Sequence, residues 1–214
     1  MLITLIGLSL LSAAQPDDLT PQIADGYRGI WYMNQPTKDQ HRYKYSGGFG
    51  TYPQQHVPIA IHVASQQKTF FVFGGSAGNV SERNDELDHL VSYYDHRTGT
   101  VPKPTRLLRK RTEDAHDNPT LSIDAAGYLY VFSSAHGVNR PSYIHRSRKP
   151  YDIREWELLE KTNFSYTQPW YLPTLGRFLF LHTLYKNGQR TLNFKASTGA
   201  RAWPAPTLLA HIEM

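Results

Sequence analysis

The sequence predicts an all-β protein built from repeated blades of a β-propeller, and three observations support this prediction. Short apolar runs rich in aromatic and β-branched residues recur along the chain, as expected for buried strands. Pairs of leucines recur at nearly constant intervals. The 15 Gly and 14 Pro are spread through turn-like contexts, which disfavours a long helical bundle or coiled coil.

The repeat is visible in three apolar runs and in the leucine pairs that follow them. The runs are Lys68–Gly75, Gly127–Ser134 and Gly176–Thr183. The pairs begin at Leu107, Leu158 and Leu208, at intervals of 51 and 50 residues. A period of about 50 residues with about four short strands per unit is typical of propeller blades. The alternative is a β-sandwich with coincidental spacing, and three aligned features per unit disfavour it.

The period divides the chain into three blades, at roughly residues 50–110, 111–160 and 161–210. A closed propeller typically has four to eight blades. We therefore expect the chain to be a fragment of a longer propeller, and closure by assembly with another copy is the alternative.

The first 14 residues predict a secretory signal peptide rather than part of the fold. An apolar run, Leu2–Leu11, is followed by Ser12-Ala13-Ala14, small residues of the kind that a signal peptidase reads. Cleavage after Ala14 would leave residues 15–214 as the partial propeller, secreted or periplasmic. A buried N-terminal strand is the alternative. The run is shorter than the roughly 20 residues that a membrane-spanning helix needs, so no membrane span is expected.

Composition narrows the partners and the chemistry. The chain has no Cys, which excludes disulfides, iron–sulfur clusters and a Cys nucleophile. Its net charge of +5, from 23 Lys plus Arg and 18 Asp plus Glu, suits a polyanionic ligand. The basic run at 103–111 has no interleaved aromatic residues, so it predicts a solvated face and no nucleic-acid partner. No dinucleotide or phosphate motif is present, so no cofactor is expected; a structural metal stays an open question.

Polar residues recur at matching places in the second and third units. His116 and Tyr166 align in the segments that open the two units, and His136 and Tyr185 each lie nine residues after the glycine of the apolar run. Equivalent residues of adjacent blades lie side by side around the channel of a propeller. We therefore expect these four side chains to meet and to contact a polar ligand. The alternative is that they are hydrogen-bonded structural residues.

Two arginines also occupy matching places in these units. Arg140 and Arg190 each lie seven residues before a serine. Arg190 joins the candidate site as a cation for an anionic ligand, whereas Arg140 is interpreted as a salt-bridge partner at the rim.

Four segments carry a family resemblance: Gly26–Pro36, Tyr43–His56, His116–Pro119 and Arg140–Ser147. They resemble a family of secreted BNR-repeat proteins that includes the ulvan lyases. The resemblance implies a seven-bladed propeller, of which this chain would be about three blades. It also implies cleavage of a sulfated, uronate-containing algal polysaccharide by β-elimination, although many members of the family have no known activity.

The same resemblance implies roles for the candidate residues. In the lyases, two His on one blade form the site with Tyr and Arg from neighbouring blades. His116 and His136 are similar to that pair, and the remaining candidates are Tyr166, Tyr185 and Arg190. The sequence thus predicts a polysaccharide lyase acting on an anionic polysaccharide. The alternative is a non-catalytic propeller that binds carbohydrate or protein, or an inactive fragment.

Overall fold

The computed structural model describes residues 56–75, 87–112, 114–199 and 201–212. These residues form three antiparallel four-stranded sheets, and they contain no α-helix. The prediction of an all-β fold with three four-stranded units is therefore confirmed. The predicted signal peptide and the segments Gly26–Pro36 and 43–55 lie outside the described residues.

Each sheet is a meander of four consecutive strands. The first sheet contains β1 (Ala60–Val63), β2 (Lys68–Gly75), β3 (Asp88–Asp95) and β4 (Thr105–Arg109). The second contains β5 (Pro119–Ile123), β6 (Leu129–Ser133), β7 (Ser142–Ser147) and β8 (Trp156–Thr162). The third contains β9 (Ser165–Leu172), β10 (Arg177–Lys186), β11 (Gln189–Ser197) and β12 (Thr207–Ile212). Single turns of 3-10 helix lie at Ala64–Gln66, Ala115–Asp117 and Pro173–Leu175. No helix among the described residues is long and apolar enough to cross a membrane.

The leucine pairs that revealed the repeat lie on the fourth strand of each sheet, β4, β8 and β12. Leu107 packs against the core between the first and second sheets, and Leu159 against the core between the second and third. Leu208 and Leu209 are each half exposed. One leucine of the pair therefore contributes to inter-blade packing in each of the first two units, whereas Leu158 is exposed.

Two hydrophobic cores hold adjacent sheets together. The first joins the first two sheets through the buried residues Phe70, Val72, Val91, Leu121, Leu129, Val131 and Ile153. The second joins the second and third sheets through Tyr130, Phe132, Ile144, Phe164, Phe178 and Phe180. Because side chains alternate along a strand, β6 sends Leu129 and Val131 to one core and Tyr130 and Phe132 to the other. The middle blade is thus buried on both faces, as stacked blades require.

The basic run at 103–111 is not the fully solvated face that the sequence predicted. Arg106 and Arg109 lie 3.5 and 3.4 Å from the carboxylate of Asp88. Lys110 is buried, and its ammonium donates to the carbonyl of Pro141 at 2.7 Å. The prediction of a solvated face is therefore wrong for Lys110, because this side chain crosses from the first blade to the second.

Three buried histidines and the half-buried His145 make stability depend on pH. Burial lowers the pKa of His56, His145 and His182 to about 4, and that of His89 well below its usual value. In the unfolded chain these histidines take up protons below about pH 6.5, whereas in the folded chain they do so only at lower pH. These histidines therefore contribute stability that is present above pH 6.5 and is lost as the pH falls toward 4.

We expect the free energy of unfolding, measured with urea, to fall between pH 6.5 and 5. The decline should reach up to about 1.4 kcal/mol per pH unit for each of these histidines. His145→Leu should make the decline shallower, because burial alone lowers this residue's pKa. A stability curve that is flat over this range would contradict the interpretation.

Candidate functional site

The five candidate residues lie at one end of the second and third sheets. His116 is in the 3-10 turn before β5, and His136 follows β6. Tyr166 is the second residue of β9, Tyr185 is near the end of β10, and Arg190 is near the start of β11. In an antiparallel meander, the start of the first strand, the end of the second and the start of the third lie at the same end of the sheet. The topology therefore brings these residues together.

The two histidines stack face to face, and both tyrosines approach them. The ring centroids of His116 and His136 are 4.1 Å apart with an interplanar angle of 21°. Tyr166 presents its ring edgewise to both, at 5.6 and 6.1 Å, and Tyr185 lies 5.8 Å from His136. The expected proximity of the histidine pair and the tyrosines is therefore observed.

Tyr166 is held in an unusual backbone conformation. Its φ is 52°, in the left-handed region that side chains other than glycine rarely adopt. It lies at a β-bulge, where Leu181 pairs with Gln168 but Thr183 pairs with Ser165, so two residues of β9 oppose one of β10. Bulges commonly re-aim a side chain next to a functional site, and backbone strain concentrates there. The bulge turns the Tyr166 ring toward the histidines.

A tight hairpin places Arg190 beside Tyr185. Asn187 and Gly188 form the two-residue turn between β10 and β11, and both have positive φ, 51° and 74°. Asn-Gly is the sequence that such turns favour. The resulting register sets Tyr185 directly opposite Arg190.

The Arg190 guanidinium lies between the two tyrosines, and no carboxylate among the described residues pairs with it. Its central carbon is 4.2 Å from the ring centroid of Tyr166 and 6.0 Å from that of Tyr185. Within the described part of the chain it forms no ion pair, and its buried Nε atom has no hydrogen-bond partner. A guanidinium without a counter-charge is suited to bind a carboxylate or sulfate.

Asp114 is a member of the site that the sequence analysis missed. His116 Nδ1 lies 2.5 Å from its Oδ1, and His136 Nδ1 lies 3.0 Å from its Oδ2. Burial raises the pKa of Asp114, but the hydrogen bonds from the two histidines outweigh burial and hold this pKa well below its usual range. The carboxylate is therefore ionised at neutral pH. Its position two residues before His116 was the only available sequence signal.

Arg140 has the salt-bridge role that its sequence position suggested, within the site rather than at an exposed rim. Its Nε and one terminal nitrogen donate to Asp117 at 2.9 and 2.8 Å, and the same nitrogen lies 3.0 Å from Asp114. Asp117 is fully buried and also accepts from the backbone N–H of His136 at 2.7 Å. Lys110 lies 3.4 Å from the same carboxylate. This network anchors the loop that carries His136.

His56, which lies just before β1 in the first blade, is also close to the site. It is buried, and its ring lies edgewise to Tyr166 at 5.5 Å. The sequence analysis did not place it near the other candidates.

Asp114, His116 and His136 are the residues of the described chain grouped closely enough to hold a metal ion, with ligand atoms within 4.8 Å of one another. Both imidazole Nδ1 atoms, however, already face a carboxylate oxygen at hydrogen-bond distance. The guanidinium of Arg140 also contacts this carboxylate and places a positive charge beside any bound cation. The geometry fits a hydrogen-bonded cluster better than a metal centre.

Known proteins are similar to this chain over part of its length. No family model matches the chain. An ulvan lyase of family PL25 from Pseudoalteromonas sp. (strain PLSV) is 31% identical over 123 residues, covering 47% of this chain and 24% of that protein. An ulvan lyase from Nonlabens ulvanivorans is 30% identical over 146 residues, covering 58% of this chain and 29% of that protein.

The chain is a distant homologue of the ulvan lyases. The homology extends over about half of its length. The chain spans only 24% and 29% of the length of these two ulvan lyases.

Solved ulvan lyase structures agree at the level of fold. The structure of a PL25 ulvan lyase superposes with a TM-score of 0.60 at 21% identity, over 72% of this chain and 38% of that chain. A second structure of a PL25 ulvan lyase, with the same TM-score of 0.60, is bound to -[GlcA(1-4)Rha3S]-. The three sheets therefore match part of the ulvan lyase propeller.

Proposed function

We propose that the site is that of a polysaccharide lyase that cleaves an ulvan-like, sulfated and uronate-containing polysaccharide by β-elimination. The observation that carries the proposal is the unpaired guanidinium of Arg190, held on the two tyrosines beside the stacked histidines. The homology to ulvan lyases, one of which binds a glucuronate-containing sulfated saccharide, supports the same substrate class.

Elimination first requires that the negative charge of the uronate carboxylate be neutralised. When the base removes the proton from carbon 5, which bears this carboxylate, further negative charge builds up on the carboxylate. Arg190 is placed to stabilise this charge, since within the described residues no protein carboxylate occupies it. Tyr166, beneath the guanidinium, holds its plane in position.

We assign the base and the acid to His136 and Tyr185. The His136 side chain is 36% exposed, against 12% for His116, so it is the better placed of the pair to reach a polymer. Its Nδ1 is held by Asp114, which leaves Nε2 to take the proton from carbon 5 of the uronate. The C4–O bond then breaks, a C4=C5 double bond forms, and the Tyr185 hydroxyl protonates the departing glycosidic oxygen.

Incubation with ulvan tests the proposal directly. The expected product carries an unsaturated uronate at its new non-reducing end and is detected by ultraviolet absorbance and mass spectrometry. Arg190→Gln should lower kcat/KM by about 10²-fold or more, because it removes the cation that faces the developing charge. Arg177→Gln, an exposed arginine at the opposite end of β10, is the matched control.

The pattern of results distinguishes the alternatives. A product with one added water per cleaved bond would indicate hydrolysis and overturn the elimination mechanism. Binding of ulvan without any cleavage would favour a non-catalytic propeller.

A further inference from the structure

We propose that Asp114 is the positioning residue of the site, fixing the ring orientation and the tautomer of both histidines at once. This inference rests on the proposed function only for its effect on turnover. One carboxylate bridges the two imidazoles, with Oδ1 facing His116 Nδ1 and Oδ2 facing His136 Nδ1.

The carboxylate is itself held in place. Asp114 is the N-cap of the 3-10 turn Ala115–Asp117, and its Oδ1 accepts from the backbone N–H of His116 at 3.0 Å. Its Oδ2 accepts from Arg140 at 3.0 Å, and Arg140 is fixed by two further hydrogen bonds to Asp117. Both oxygens are thus oriented before any substrate arrives, which is the condition for precise placement of a proton acceptor.

The ionised carboxylate determines which imidazole nitrogen carries the proton. A carboxylate only accepts hydrogen bonds, so Nδ1 of each neutral histidine must be the protonated nitrogen. Nε2 is then the unprotonated nitrogen of both rings. For His136 this is the atom to which the proposed mechanism assigns proton transfer, so Asp114 keeps the base in its reactive tautomer.

Asp114→Asn is the decisive variant because it keeps the shape of the side chain and changes its hydrogen bonding. The amide oxygen can still accept from the backbone and ring of His116. The amide nitrogen then faces His136 Nδ1, which must become an acceptor, so His136 carries its proton on Nε2 instead. Arg140 keeps its hydrogen bonds to Asp117, which limits the structural change.

The measurement is a long-range ¹H–¹⁵N correlation spectrum of the chain labelled in histidine, recorded at a pH where both rings are neutral. We expect Nδ1–H for His116 and His136 in the unmodified chain, and Nε2–H for His136 in Asp114→Asn. Asp152→Asn, which alters an ion pair with Arg154 at the opposite end of the second sheet, is the matched control and should leave both rings unchanged.

Kinetics provide a second readout. On ulvan, Asp114→Asn should lower kcat by about 10²- to 10⁴-fold with little change in KM, because a wrong tautomer removes the base but not the binding cation. An increase in KM with an unchanged kcat would overturn the proposal.

The spectra separate this inference from the proposed function. If the unmodified chain does not cleave ulvan but the tautomers behave as expected, the positioning role of Asp114 is supported and only the proposed reaction fails. Nε2–H on either ring of the unmodified chain would overturn the positioning role. A stoichiometric bound metal whose removal changes both histidine spectra would also overturn it.

Discussion

His136→Ala is expected to lower turnover on ulvan by about 10²- to 10⁴-fold, the usual cost of losing a general base. The fold should persist, since the ring is partly exposed and belongs to neither hydrophobic core. The backbone N–H that anchors this residue to Asp117 remains in the variant. The measurement is the initial rate of unsaturated-uronate formation, together with a thermal unfolding curve.

Two further variants sharpen this result. His116→Ala should also lower turnover, because it removes the stacked partner at 4.1 Å, but we expect a smaller loss than for His136→Ala. His96→Ala, at an exposed histidine that directly follows β3, is the matched control and should retain normal rates. If His136→Ala kept normal turnover while His116→Ala abolished it, the base would be His116 and our assignment would be wrong.

Asp117→Asn is expected to destabilise the protein by about 3–5 kcal/mol, the usual cost of breaking a buried ion pair. The substitution removes the negative charge from a fully buried position and leaves the Lys110 ammonium, with a side chain only 1% exposed, without its counter-charge. Burial lowers the pKa of Lys110, and Asp117 opposes that effect. The quantity to measure is the free energy of unfolding in urea at neutral pH.

A double substitution tests the cause of this loss. Lys110→Met combined with Asp117→Asn removes both charges, and it should recover part of the stability lost in the single variant. Asp152→Asn breaks an exposed ion pair instead and should have little effect. If Asp117→Asn changes stability no more than Asp152→Asn does, the buried pair is not what holds the His136 loop.

The sequence was informative wherever the repeat constrained the structure. The apolar run Lys68–Gly75 is β2 with the same bounds, and the leucine pairs lie on equivalent fourth strands. Repeat alignment also brought His116 next to Tyr166, because equivalent residues of stacked blades are neighbours in space. Catalytic roles for these residues stay a prediction.

Residues that do not follow the repeat could not be found by aligning blades. Asp114 is the N-cap of a single 3-10 turn and has no counterpart among the aligned positions. Lys110 belongs to a charged run, and charge composition cannot distinguish a solvated lysine from one that crosses to a buried carboxylate in the next blade. The bulge at Tyr166 was equally hidden, since a residue other than glycine at positive φ leaves no composition signal.

The candidate site is divided between two blades, so the proposed mechanism depends on the relative position of the second and third sheets. The histidines and Asp114 belong to the second blade, whereas Tyr166, Tyr185 and Arg190 belong to the third. A hydrogen bond of 2.8 Å between the hydroxyls of Thr120 and Thr167 joins the two inner strands near them. A small sliding motion between these two strands would separate the proposed base, His136, from the proposed acid, Tyr185, while every sheet stayed intact. Under the proposed mechanism, substitutions in the aromatic core between the second and third sheets would therefore change turnover without altering any of the five candidate residues.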